Sequence, residues 1–306
     1  MTLLSRKKTI RTLQETTKGT AVTSNIEVMA YDVKIGPDSE FIARRPGGSF
    51  FGNTAQGVLG LRTGTCAFRS EMRGTGSDTM DLGLANLLLG CGFAVSAQTY
   101  TLSSVLATQK CLTLTVWEDG VKKILSGCMG NLKLSGEVGK TMDCNFEFKG
   151  NWAAPTDEAM PSVTPNTQLP PILKAGTLTI GGTAVQISKF ELDLGNTVEY
   201  RQDVNAATGN AHAIITDRDV TVSMDPEAKL VATHDFYGLW LAGTEAALSL
   251  VFTSPGADKF TLTLPKLQYK EVQPGDRGGL YIYDINAQAN ASATGDDELS
   301  LVVAAA

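Results

Sequence analysis

Gly136-Glu137-Val138-Gly139-Lys140-Thr141 matches the end of a phosphate-binding loop. The complete pattern needs a glycine at 134, where Leu134 stands, and a helix afterwards whose N-terminus holds phosphate. The segment lies between two strand-like runs instead, so nucleotide binding is set aside. His212 and His234 are the two histidines, and neither sits in a HExxH pattern, so a histidine-based metal site is not expected. No Gly-x-Ser-x-Gly elbow occurs, and a Ser-His-Asp triad would have to recruit one of those histidines. Asp217 with Asp219, or Asp296 with Asp297, could pair as acid and base, but acidic pairs at strand ends are mostly solvated surface. Asp193, Asp203, Asp217 and Asp219 lack the spacing of a calcium loop. Cys66, Cys91, Cys111, Cys128 and Cys144 are odd in number and form no CxxC, which reads as buried reduced thiols. The expectation is therefore no enzyme, no catalytic residue, no cofactor and no metal.

A chain of 306 residues, 42% apolar and 19% charged, suits two globular units of ordinary size. No run approaches the roughly 18 apolar residues of a membrane-spanning helix, and the N-terminus does not read as a secretory signal. A cytoplasmic origin and no membrane partner are expected. Net charge is −6, which disfavours tight nucleic-acid binding. The charge is unevenly spread. Residues 1–155 carry 17 Lys/Arg and 13 Asp/Glu, a net of +4; residues 156–306 carry 9 and 19, a net of −10. Copies packed side by side would bring unlike halves together.

The elements that must position these groups read as strands. Cys66, Phe68 and Ser70 alternate with Ala67, Arg69 and Glu71; Cys144, Phe146 and Phe148 with Asp143, Asn145 and Glu147; Phe190 and Leu192 with Glu191 and Asp193; Val220, Val222 and Met224 with Asp219, Ser223 and Asp225. Period two puts one face in a core and one in water. Asp81 and Asp235 each open a short apolar stretch that reads as a covering helix, over Asp81-Leu82-Gly83-Leu84-Ala85-Asn86-Leu87-Leu88-Leu89-Gly90 and over Asp235-Phe236-Tyr237-Gly238-Leu239-Trp240-Leu241-Ala242-Gly243. The halves share a layout. Leu114-Thr115-Val116-Trp117 lines up with Leu248-Ser249-Leu250-Val251, Glu137 with Glu271, and residues 145–149 with 279–283. This layout predicts two tandem β modules. The expected division is a polar arm over 1–25, a first module over 26–152, a proline-rich linker over 153–176 and a second module over 177–303. Five of the eleven prolines fall in that linker, which cannot join a sheet interior. The long stretch 36–64, with Phe50 and Phe51, reads as a loop that is either functional or held by a partner.

Several segments resemble one family. They are Gly136-Glu137-Val138-Gly139-Lys140 with Phe146-Glu147-Phe148-Lys149-Gly150-Asn151-Trp152, Ile187-Ser188-Lys189-Phe190-Glu191-Leu192-Asp193-Leu194-Gly195-Asn196, Ile215-Thr216-Asp217-Arg218, and the close from Pro274 to Leu280 and from Gly295 to Leu299. From about Thr9 to Val303 the chain resembles the tail tube (major tail) proteins of long-tailed bacteriophages, in a duplicated-module variant. The resemblance rests on the order of many weak motifs.

What it implies is a structural virion protein of mainly β fold. Two tandem β-sandwich or barrel modules, each with one short helix, would contribute sheets that close with neighbouring subunits into a β-barrel. Three subunits would form a ring of pseudo-sixfold symmetry, and rings would stack into a hollow tail tube. DNA passes through it without lasting binding; tail terminator, tape measure and distal tail proteins are the other partners. The wet-face carboxylates Asp143, Glu147, Glu191, Asp193, Asp219 and Asp225 are the expected lumen residues, repelling phosphate. Arg44, Arg45, Phe50, Phe51, Arg201 and Asp203 are the expected ring-stacking residues, on the 36–64 loop and the 197–213 hairpin. The rival reading is a β-sandwich baseplate or adhesin module that binds a host surface and stays monomeric.

Overall fold

A computed structural model describes residues 2–53, 55–164, 166–255 and 258–305. The chain is mainly β. The first half holds β1 (Lys8–Gln14), β2 (Ile26–Val28), β3 (Ala30–Pro37), β4 (Phe41–Ile42), β5 (Val58–Leu59), β6 (Thr63–Glu71), helix α1 (Leu82–Gly90), β7 (Phe93–Ser96), β8 (Thr99–Leu102), β9 (Leu112–Glu118), β10 (Val121–Glu137) and β11 (Asp143–Trp152). After β12 (Thr156–Asp157) the second half holds β13 (Thr177–Ile180), β14 (Thr183–Ala184), β15 (Lys189–Asp193), β16 (Thr197–Gln202), β17 (Asn210–Asp217), β18 (Thr221–Met224), helix α2 (Phe236–Leu241), β19 (Glu245–Thr253), β20 (Asp258–Arg277), β21 (Leu280–Ala289) and β22 (Ser300–Ala305).

Two long strands organise the molecule. β10 pairs with β9 along its first part, with β11 along most of its length, and with β15 at its far end. β20 pairs with β19 and β22 early, then with β21 alone over its last turn of sheet. A strand of such length crosses from one sheet to another, and each crossing is marked by a bulge: between Leu125 and Cys128 on β10, and between Leu264 and Leu267 on β20. The widest sheet runs β3-β6-β11-β10-β15-β18-β21-β20, antiparallel throughout. Eighteen strands are joined by seventeen pairings, so the described network branches but does not close on itself.

The two halves use their strands in the same order. β1 pairs with β9 as β13 pairs with β19. β3 and β6 flank the ribbon β4–β5, and β15 and β18 flank the hairpin β16–β17. This corrects two sequence expectations. The 1–25 segment is not a free arm: β1 is hydrogen-bonded on both sides and Ile10 and Thr12 are buried. The alignment of 145–149 with 279–283 is out of step, because Asn145 lies inside β11 while Gly279, at φ +87°, makes the β20–β21 turn.

Both helices start as the aspartates predict. Asp81 accepts from the amides of Gly83 and Leu84 at 3.0 and 3.3 Å, and Asp235 from Gly238 at 2.8 Å. α1 buries Leu84, Leu87 and Leu88 in the core, whereas Trp240 and Leu241 of α2 stay exposed. The core is one apolar cluster continuous through both halves, with Phe68, Phe146 and Phe148 in ring contact in the first half and Phe252 stacked on Phe260 in the second. All five cysteines are buried, and burial pushes the thiols of Cys66 and Cys111 up to about 12. The proline-rich connector is extended and pinned. Thr156–Asp157 pairs with the start of β10, Arg11 donates to the Ser162 carbonyl, Asn166 donates to Asp81, and Leu173 binds the β10–β11 turn.

The hairpin β16–β17 packs on the first half of its own chain. Val198, Ala213 and Ile215 share a small core with Cys111 and Met129, and Asn151 donates to the carbonyls of Asn210 and Ala211. Beside it the buried Glu15 carboxylate accepts from Thr113 and from the amides of Gly19 and Gly127, tying the start of the chain to the β10 bulge.

Burial holds the imidazoles of His212, in this hairpin, and of His234 below their usual range. The folded state thus keeps them neutral where the unfolded chain would take protons. That stability is present above the unfolded pKa of about 6.5 and is lost as pH falls through and below it. The Glu15 carboxyl, pushed up by burial, works in the opposite sense. The urea midpoint should fall between pH 7.5 and 5.5, and fall less in a His212→Asn, His234→Asn variant; an equal fall in both proteins would clear the imidazoles of any part.

Candidate functional site

Alternation places one polar face along the eight-stranded sheet. Reading across from β3, it presents Tyr31 and Lys34, then Arg69 and Glu71, then Asp143, Asn145 and Glu147, then Asn131, Lys133 and Ser135. It continues with Lys189, Glu191 and Asp193, then Thr221 and Ser223, then Asn286 and Gln288 beside Lys270 and Glu271. The partners of this face are Leu132, Phe146, Phe190, Leu192 and Val222, all turned into the core. The face is hollowed. One groove is lined by Lys133, Ser135, Glu191, Asp193, Ser223 and Lys270, and a second by Lys34, Arg69, Asn131 and Glu147; they meet at Lys133 and Asn145.

Four of the six expected lumen carboxylates come together here. Asp143 and Asp193 are ion-paired, with Arg69 at 3.0 Å and with Lys133 at 2.8 Å. Partial burial opposes ionisation of Asp193, but hydrogen bonds from Lys133, Asn131 and the Gly195 amide hold its carboxyl below the usual range. Glu147 and Glu191 are exposed, and no cation lies within ion-pair distance among the described residues. Asp219 is exposed two residues before β18, in line with Thr221 and Ser223.

Asp225 is a correction. It is 7% exposed and does not line the face. The strand stops at Met224 before Pro226, and Asp225 turns inward. It accepts from the amides of Ser188 and Lys189 at 2.8 and 2.7 Å, from the Ser188 hydroxyl, and from Arg277 at 2.9 Å. Burial opposes its charge, and the Ser188 and Lys189 donors with Arg277 more than offset that, so the carboxyl titrates low. The knot joins β15, β18 and β20. A similar tie was not legible in sequence: Arg218, nearly buried, bridges Asp296 at 3.0 Å and Glu298 at 3.1 Å. Asp296 also accepts from Ser104, which fastens the C-terminal segment to the first half.

The expected stacking residues lie on two neighbouring insertions, which meet where the Arg62 amide donates to the Thr208 carbonyl. Arg44, Arg45, Phe50 and Phe51 all lie exposed on the 43–57 stretch beyond the β4–β5 ribbon. Arg201 is exposed on β16, but Asp203 accepts from the amide and side chain of Asn205 and shapes the hairpin turn. Among the described residues no cluster of three or more potential metal ligands occurs.

No curated protein matches the chain. The family model for phage tail tube proteins matches residues 5–302, nearly the whole length and across both halves. That extent joins the sheet, the connector and the C-terminal strand into one match, and the chain belongs to the phage tail tube protein family.

Proposed function

We propose that copies of this chain close into rings, that the rings stack into the phage tail tube, and that the grooved polar face lines the bore through which DNA travels. The observation that carries this reading is the eight-stranded sheet with a bare edge at each end. β3 has β6 as its one partner, and the last part of β20 has β21 as its one partner, among the described residues. Inside the chain, β10 is joined to β15 in the position where β20 of one copy would join β3 of the next. The shared strand order of the halves supports a duplicated module and pseudo-sixfold symmetry. Both bare edges are guarded against runaway pairing, by a kink at Asp32, at φ +55°, and by Pro274.

Strand number bears on how many copies close. Three copies give three times eight strands; at about 4.8 Å each, tilted by about 40°, they enclose a backbone cylinder about 45–50 Å across. Side chains about 6 Å long on each wall leave a bore of about 35 Å, which passes a duplex about 20 Å wide. Two copies would leave about 20 Å or less by the same reckoning, with no room for hydration. Residues for axial contact are Arg44, Arg45, Phe50 and Phe51, with Arg201 at the hairpin; lumen residues are Glu147, Glu191, Asp143, Asp193 and Asp219. Virion tail location, tail terminator, tape measure and distal tail proteins as neighbours, and transient DNA passage follow from this assembly.

Electron microscopy of the concentrated, purified chain tests the proposal. Stacked rings with threefold symmetry and a central bore are expected; a protein that stays monomeric at high concentration would refute it. That second outcome would favour the adhesin or baseplate reading, for which the exposed Phe50 and Phe51 are the supporting observation.

A further inference from the structure

The two halves differ in one respect that their common strand order exposes. In the second half, the insertion between the first two sheet strands is β16–β17, and it lies on the first half of the same chain. It covers Cys91 and Gly92 after α1, Cys111 before β9, and Gly127 to Met129 at the β10 bulge, all of which are buried. In the first half, the matching insertion is β4–β5. It carries Phe41, Ile42, Val58 and Leu59, between 50% and 66% exposed, and among the described residues these four share no buried cluster; the following Arg62 meets the hairpin, its amide donating to the Thr208 carbonyl. The matching bed in the second half is also bare. Leu241 at the end of α2 is 77% exposed, and Gly243, Glu245, Ala247 and Pro265, from the start of β19 and the β20 bulge, are exposed.

We infer that the β4–β5 ribbon docks on the second half of a neighbouring copy of this chain, across Leu241 to Ala247 and the β20 bulge, as β16–β17 docks on the first half within the chain. The inference rests on the ring reading and adds a lateral contact to it. The intrachain interface is the template: its geometry is already built, and ring closure places the neighbour's second half, relative to β4–β5, where the chain's own first half sits relative to β16–β17. One chain cannot satisfy the match, because its β4–β5 ribbon lies at the opposite end of the eight-stranded sheet from its own β20. Charge agrees. Arg44 and Arg45 follow β4 within the ribbon's connecting loop, in a half of net charge +4, and the bed lies in a half of net charge −10. Four large apolar side chains on two paired two-residue strands form a cluster that is costly to leave in water. The ribbon's paired base then serves contact within a ring, and its tip, with Phe50 and Phe51, serves contact between rings.

The test places photoreactive benzoylphenylalanine at Phe41 in the full chain and irradiates it at a concentration where rings are seen by electron microscopy. Phe41 is exposed, so the monomer should fold unchanged. Adducts are expected on residues 241–247 and 265–268 of another copy, in a covalent ladder that stops at the number of copies in one ring. Adducts on the first half, or a ladder running past the ring number, would overturn the lateral docking while rings and tubes still form. A Phe41→Asp, Leu59→Asp variant should lose rings with an unchanged urea midpoint. Rings of full yield from that variant would also overturn the docking, and absence of rings from the unmodified chain would overturn the ring reading itself.

Discussion

Tubes built from a Glu147→Lys, Glu191→Lys variant are expected to grip duplex DNA that unmodified tubes release. Both carboxylates are exposed on the grooved face and neither is ion-paired, so replacing them breaks no internal contact. The change shifts each copy by four charge units toward positive, and a three-copy ring gains six lysines facing the bore. If about three phosphates per ring are engaged, affinity should fall by about 40-fold between 50 and 200 mM salt, the signature of counterion release. DNA retention on purified tubes at the two salt concentrations measures it, with circular dichroism as the check on folding. Intact tubes that retain no DNA at 50 mM would mean that β11 and β15 do not face the bore. The pairing of Asp143 with Arg69 and of Asp193 with Lys133 makes those two positions poorer choices, since a reversal there also strands a cation.

Removing the Asp225 carboxylate should act on stability and not on DNA passage. Asp225→Ala leaves Arg277 without its buried partner and three donors at Ser188 and Lys189 unpaired. The expected loss is about 3 kcal/mol, which at this chain length lowers the melting temperature by about 4–6 °C. Differential scanning calorimetry reads it directly. A change of less than about 1 °C would mean that solvent already satisfies these groups. Arg277→Ala should cost less, because that side chain is 29% exposed and its charge reaches water.

Strand faces were legible wherever a side chain's type and its side of the sheet agree. Phe190 and Leu192 against Glu191 and Asp193, and Phe146 and Phe148 against Asn145 and Glu147, were readable because period two sorts apolar from polar. Both helix starts were readable because Asp81 and Asp235 cap through their own side chains, which is a local interaction. β1 was missed for the converse reason. Its buried positions are Ile10 and Thr12, and threonine there, amid Lys7, Lys8 and Arg11, gives little hydrophobic contrast. Asp225 continues the alternation of β18 in sequence, yet the strand has already ended at Met224, so parity assigned it to the wrong side. The bulges in β10 and β20 likewise shift register without a residue type that announces them.

Composition, alternation and motif order by themselves determined a β-rich chain with buried thiols and a phage tail tube likeness. These follow from interactions between residues a few positions apart, which one strand or one helix turn records. The joining of β10 to β15, the burial of Asp225 against Arg277, and the contrast between a covered and a bare insertion were decided by the tertiary structure. Each depends on which distant segment happens to lie alongside, and long-range pairing leaves no local trace in the order of residues.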